Sequence, residues 1–224
     1  MPSGSDRPAH RSGAPQRRVR AYVGLGSNLG DSAGRLRDAV VALGDLPGAR
    51  LAGVSRLYLT APVGVTGQRA FHNAVAALDL RADADAAVGA TGLLVALKDL
   101  ERSFGRQARQ RWGPREIDLD LLLYGRHRLA IERPPGGHSI DATVDPGPTP
   151  PLLEVPHRAA HERLFVLAPL ADLVPGLVPP GWHETVATAG RRRGAIEGGD
   201  AARAIAAWDA IARDWRPLTS GGRR

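Results

Sequence analysis

The chain has 224 residues, 43% hydrophobic and 24% charged, with a net charge of +7 and no cysteine. That composition excludes a wholly disordered chain, a disulfide scaffold, a cysteine-ligated zinc site and a cysteine nucleophile. The length suits one sizeable domain or two small ones.

The charge is unevenly placed. Residues 1–20 carry five arginines and one acid, and residues 191–224 carry eight arginines and four acids, which leaves 21–190 at −1. The basic character therefore belongs to the ends, and no nucleic-acid partner is expected for the central region. No apolar run reaches the roughly 18 residues of a membrane helix. The first twenty residues lack the apolar stretch of a signal peptide, so a cytoplasmic protein with no membrane partner is expected. Residues 1–18 read as a disordered basic tail, 19–190 as the folded domain, and 191–224 as a basic extension.

In chain order, Val19–Leu25 reads as a strand broken by the turn Gly26-Ser27-Asn28-Leu29-Gly30. Asp31 or Ser32 caps the next segment, where Leu36, Ala39, Val40 and Leu43 recur at helical spacing. Arg50–Tyr58 alternates as a strand, and Thr60–Arg69 is a Pro/Gly-rich loop. Phe71–Leu80 is a further strand. Asp83–Phe104 is the longest helical pattern, with Val88, Thr91, Leu94, Val95, Leu97 and Leu100 on neighbouring turns. Ile117–Tyr124 is another strand, residues 134–151 form a Pro/Gly-rich insertion, and Arg163–Val174 is helix-like. A last helix over 201–215 would put Ile205, Trp208, Ile211 and Trp215 on one side. The order β-α-β-β-α-β predicts an α+β, ferredoxin-like antiparallel sheet, with helices packed on one face and extra helices at the C-terminal end.

Two nucleotide motifs fail. The turn at 24–30 has Leu29 where the third glycine of a dinucleotide loop belongs, and the only lysine, Lys98, lies mid-helix, so there is no Walker A loop. The informative stretch is Arg102–Asp120. Arg102, Arg106, Arg109, Arg111 and Arg115 precede Asp118 and Asp120, which stand two apart on a strand and so share a face. An Asp-x-Asp pair alone suits a solvated strand face. Beside five arginines it suits magnesium and phosphate, with the carboxylates as hard oxygen donors and guanidinium groups as bidentate clamps. Phe71 and Asn73 likewise share a strand face, one aromatic plate and one amide. His157 has no second ligand at metal spacing, which favours a hydrogen-bonding role over zinc.

The stretches AYVGLGSNLGD (21–31), YLTAPVGVTGQRAFHN (58–73), GRQARQRWGPREIDLDLLL (105–123) and VPHRAAHERLFVLAPL (155–170) resemble the 6-hydroxymethyl-7,8-dihydropterin pyrophosphokinases, enzymes of folate biosynthesis. The resemblance spans about residues 20–175 and implies the ferredoxin-like fold, ATP as co-substrate, two magnesium ions and a pterin substrate; a monomer is expected because no heptad seam argues for assembly. It implies metal binding by Asp118 and Asp120, and phosphate contact with assistance to transfer by Arg106 and Arg115. Thr60, Val63, Phe71, Asn73 and Trp112 or Phe165 would surround the pterin. Glu101, Leu121, His157 and Arg163, with Trp112, would surround the nucleotide. The second loop-arginine position falls on Ala108 or Arg109, of which Arg109 carries the charge. Two rival readings are an RNA-binding module on the same framework, whose aromatic strand pattern is absent here, and a catalytically dead relative.

Overall fold

A computed structural model describes residues 17–62, 67–107, 113–134, 151–198 and 200–219. In chain order the elements are β1 (Arg18–Ser27), α1 (Ser32–Gly44), β2 (Ala49–Val54), β3 (Leu57–Thr60), β4 (Phe71–Arg81), α2 (Ala86–Ser103) and β5 (Asp118–Tyr124). There follow β6 (Leu129–Ile131), β7 (Leu153–Val155), a 3-10 turn (Ala160–Glu162), α3 (Leu164–Leu173), α4 (Val186–Glu197), β8 (Ala202–Asp209) and β9 (Asp214–Pro217). The main sheet runs β5-β1-β4-β3-β8-β9, with β2 also on β4, and β6 and β7 form a separate ribbon. All pairings in both sheets are antiparallel.

Local signals explain the first helices. Asp31 Oδ1 accepts from Gly34 N at 3.0 Å and Asp85 Oδ1 from Ala87 N at 2.8 Å, each satisfying an amide that the first turn leaves over. Leu36, Ala39, Val40 and Leu43 of α1 are fully buried, as their spacing predicts. With Leu93 and Leu97 of α2 they pack on Ala21, Val23 and Leu25 of β1 and Leu119 and Leu121 of β5.

The opposite face is covered as well, which the expectation of helices on one face missed. Val166, Leu167 and Leu170 of α3 and Val186 and Ala189 of α4 pack on Tyr22, Val75, Ala77, Leu122 and Leu123. Residues 74–78 of β4 are therefore buried on both sides, and their sequence is continuously apolar rather than alternating.

Other expectations also change. The strand over Arg50–Tyr58 is two strands, because Ser55 turns aside: its N–H donates to Val75 O (2.9 Å) and its hydroxyl to Arg56 O (2.7 Å). In α2 the core-facing row is Ala90, Leu93, Leu97 and Glu101, whereas Val88 and Val95 are more than half exposed. Apolar residues stand on several sides of this helix, so spacing alone did not fix its rotation. Arg18 already pairs with Arg81, so the sheet begins inside the supposed tail. Helix α4 runs across the expected domain end at 190. Most of the insertion 134–151 lies outside the described residues.

The largest correction is at 201–215, which is a hairpin and not a helix. Strand β8 adds to the open edge of β3, and Trp208 pairs across strands with Trp215, ring centroids 4.9 Å apart and edge-on. Asp209 Oδ1 accepts from Ile211 N and Ala212 N, an Asx turn that leaves Ile211 on the surface. Cross-strand aromatic packing and the free edge of β3 outweigh the helix propensity of the alanine-rich run. Among the described residues no helix is long and apolar enough to cross a membrane.

Trp215 is buried, and its indole N–H donates to Ser55 O at 3.4 Å. Trp215→Ala is expected to cost about 3 kcal/mol, read as a lower urea midpoint at an unchanged slope. An unmoved midpoint would show that the hairpin is an appendage and not part of the sheet.

Candidate active site

Asp118 and Asp120 stand opposite Gly26 and Gly24 of β1. Since Leu119 and Leu121 fill the α1/α2 core, both carboxylates lie on the other face, the one α3 and α4 cover further along. A bulge sets this arrangement. Tyr22 pairs with Leu123 and Val23 with Leu121, so Leu122 is an extra residue and joins Leu123 in the second core. Gly24 and Gly26 keep the floor beside the carboxylates bare. A Cβ at Gly26 would sit 3.1 Å from Asn73 Oδ1, and one at Gly24 3.3 Å from Leu122.

Across that floor, β4 presents Asn73 and Phe71 in register with Gly26 and with Thr60. Asn73 and Thr60 are buried, joined by Asn73 Nδ2 donating to Thr60 Oγ1 at 2.7 Å, and Phe71 is half-buried. Phe165, at the start of α3, is partly buried against the second core, with the Arg163 guanidinium 5.7 Å from its ring centroid. Val63, Arg109 and Trp112 lie outside the described residues.

The cationic side is built around Glu101, which is 1% exposed. Its Oε1 accepts from Lys98 Nζ and from Leu119 N, both at 2.7 Å, and its Oε2 accepts from Arg106 Nη1. Lys98 Nζ also donates to Leu119 O at 3.1 Å. Both backbone groups of Leu119, the residue between the two aspartates, are thus satisfied by α2 side chains and not by a neighbouring strand. Arg106 Nη1 reaches Asp118 Oδ1 at 2.9 Å, and Arg115 Nη1 lies 3.9 Å from the same oxygen. The resemblance implies that Glu101 contacts the nucleotide; here its carboxylate is saturated by protein donors. Leu121 is buried in the core behind the strand, so its side chain is not among the groups gathered on the carboxylate face.

His157 N donates to Leu122 O at 2.9 Å, which carries the ring to the carboxylate side. Burial holds its imidazole below the usual range, against the pull of Asp120. The two aspartates diverge. Burial and then the Asp120 charge push Asp118 up to about 7, despite Lys98, Arg106 and Arg115. Burial also opposes ionisation of Asp120, but Lys98, His157, Arg106 and Arg163 together outweigh it and hold this carboxyl below its ordinary value. A separate open groove of about 640 Å³, lined by Arg128, Glu154, His157, Arg158, Trp182 and Glu184 among others, adjoins the carboxylates at His157.

The donor set fits magnesium. Among the described residues no three His, Cys, Asp or Glu side chains gather as a protein-only cage. Two carboxylates on one face, with guanidinium groups beside them, suit a hard cation that takes its remaining ligands from phosphate and water.

Sequence reasoning gave no site role to Gly24, Gly26 or the Ser27-Asn28 pair and left the role of Lys98 open. The glycine turn was tested only as a dinucleotide loop, while its actual use is clearance over the sheet. Lys98 acts on backbone twenty-one residues ahead, which no local pattern shows.

An acid whose pKa is raised by folding loses stability as it ionises. Stability should therefore fall as pH rises from about 4, where the unfolded Asp118 titrates, to about 7. Asp118→Asn is expected to raise the melting temperature of metal-free protein at pH 8 and to change it little at pH 4; equal shifts at both would refute the raised pKa. Glu101→Gln, which removes the negative charge that Lys98 and Arg106 share, is expected to cost about 3 kcal/mol by urea denaturation.

Residues 22–175 match the family model of 7,8-dihydro-6-hydroxymethylpterin-pyrophosphokinase. A 2-amino-4-hydroxy-6-hydroxymethyldihydropteridine pyrophosphokinase of Methylorubrum extorquens is 40% identical over 168 residues, 75% of this chain and 89% of that one. The Pseudomonas aeruginosa protein of the same name is 40% identical over 165 residues, 73% of this chain and 86% of that one. The crystal structure of Plasmodium falciparum HPPK-DHPS wild type with pteroate superposes with a TM-score of 0.65 at 12% identity, covering 93% of this chain, which spans 49% of that one. That likeness concerns the fold, which among the described residues is a mixed α/β structure with an antiparallel sheet and four α-helices. With most of its length matched by the family model and by relatives at 40% identity, the chain belongs to the 7,8-dihydro-6-hydroxymethylpterin-pyrophosphokinase family.

Proposed function

We propose that this chain transfers the terminal diphosphate of ATP to the hydroxymethyl oxygen of 6-hydroxymethyl-7,8-dihydropterin, giving AMP and the pterin diphosphate. The observation that carries the reading is one sheet face holding two unlike kinds of recognition side by side. Asp118, Asp120, Arg106 and Arg115 stand at one end of a bare glycine floor, and Asn73, Thr60 and Phe71 stand at the other. A flat heterocycle with hydrogen-bonding edges suits the second set, and a polyphosphate suits the first. The ferredoxin-like reading of the core is supported by the order β5-β1-β4 followed by the β2/β3 edge.

Little covalent work falls to the protein in such a transfer, so positioning and charge compensation carry it. Arg106 lies behind Asp118, 9% exposed and fixed by Glu101, so its charge reaches the site without having to be reordered for each turnover. Arg115, 15% exposed, approaches the same carboxylate from the segment before β5. Phosphate entering between these guanidinium groups and the aspartates meets cations already in place. Asn73 and Thr60 fix the pterin edge, and Phe71 and Phe165 supply apolar surface beside it. Asp118 and Asp120 would hold magnesium, which would supply charge neutralisation for the diphosphate and a lowered pKa for the substrate hydroxyl.

The test is phosphorus NMR of the purified protein with ATP, magnesium and the hydroxymethyldihydropterin. AMP and a pterin diphosphate are expected. ADP would mean transfer of a single phosphoryl group, and no turnover with ATP bound would favour the dead-relative reading. Asp118→Ala and Asp120→Ala should each lose at least about a hundredfold in turnover, with circular dichroism unchanged; full activity in either variant would remove it from the metal site.

A further inference from the structure

Asn28 is 2% exposed, and its amide has a different partner at each end. Its Oδ1 accepts from Arg115 N at 2.8 Å, while its own backbone N–H donates to Arg115 O at 3.1 Å. Its Nδ2 donates to Arg69 O at 3.2 Å and to Gln68 Oε1 at 3.3 Å. Three segments distant in sequence therefore meet on one side chain: the turn after β1, the stem leading into Phe71 and Asn73, and the stem leading into Asp118. Neighbours reinforce both sides: Ser32 Oγ lies 2.6 Å from His72 Nδ1 on the stem of β4, and further groups hold the Arg115 side. Ser27 Oγ donates to Glu116 O at 2.6 Å, and Arg35 Nη1 to Glu116 O at 3.2 Å and Leu29 O at 2.7 Å.

We infer that Asn28 is a positioning residue that sets the spacing between the pterin end and the phosphate end of the site. The inference rests on the site assignment proposed above. A carboxamide is required because one end must accept from a backbone N–H and the other must donate to a backbone carbonyl. Asp is isosteric and keeps the acceptor, but it turns an oxygen toward Arg69 O and Gln68 Oε1. Ala keeps neither bond.

The two variants should therefore separate what a merely structural residue would lose together. Three quantities are read: binding of 6-hydroxymethylpterin by its fluorescence, binding of α,β-methylene ATP with magnesium, and hydrogen exchange at the Arg115 amide. Asn28→Asp is expected to weaken the pterin by about tenfold while leaving the nucleotide within about threefold and the Arg115 amide protected. Asn28→Ala is expected to weaken both ligands and expose that amide. The inference is overturned if Asn28→Asp binds the pterin as wild type does, or if both variants lose both ligands equally. Should the aspartate fail to fold, Asn28→Ala decides alone, since normal affinity for both ligands there also overturns it. Wild-type protein that takes up neither ligand would overturn the site assignment itself, and the inference with it.

Discussion

An ionised carboxylate buried as deeply as Glu101 must have both oxygens occupied, because burial without partners costs several kcal/mol. The partners it takes are the ones the site needs held. Lys98 and Glu101 together close the backbone of Leu119, which fixes the strand between Asp118 and Asp120. Arg106 is shared between Glu101 and Asp118. One desolvated charge thus ties the end of α2 to β5 and places a cation behind a pair of like charges that would otherwise repel each other apart.

The sheet supplies the remaining constraint. Helices pack on both faces, while Gly24 and Gly26 leave the floor beside the carboxylates without side chains. Side chains there would fill the floor between carboxylates and amide, so two glycines and a one-residue bulge at Leu122 turn a core strand into the base of a cleft. On the proposed reading, recognition on this face would draw on four strands, each contributing one or two residues that nearby packing already orients.

The aspartate pair was readable because a period of two is enforced by the strand itself, and the arginines because five within fourteen residues without an acid stand out in a near-neutral domain. Phe71 and Asn73 followed by the same alternation. Helix α4 escaped notice: three arginines and two glycines hide a helix that buries only Val186 and Ala189, although Thr185 caps it by accepting from Thr188 N at 3.2 Å. The 202–217 hairpin was misread because alanine favours helices locally, while the edge of β3 that recruits it lies far upstream. Lys98, Glu101 and Asn28 act on backbone brought near by the fold, so their roles come into view only with tertiary structure.

The pairing of Thr60 with Ala202 has a consequence for how the protein is made. Thr60 borders the glycine floor, and the strand that covers its outer edge is synthesised long after β3 itself. Closing so long a stretch of chain is slow compared with forming helices and neighbouring hairpins. During synthesis the carboxylates and their arginines can be assembled while the outer side of β3 is still bare. That interval leaves an unpaired strand edge open to other nascent chains, and β8 is the segment that ends it.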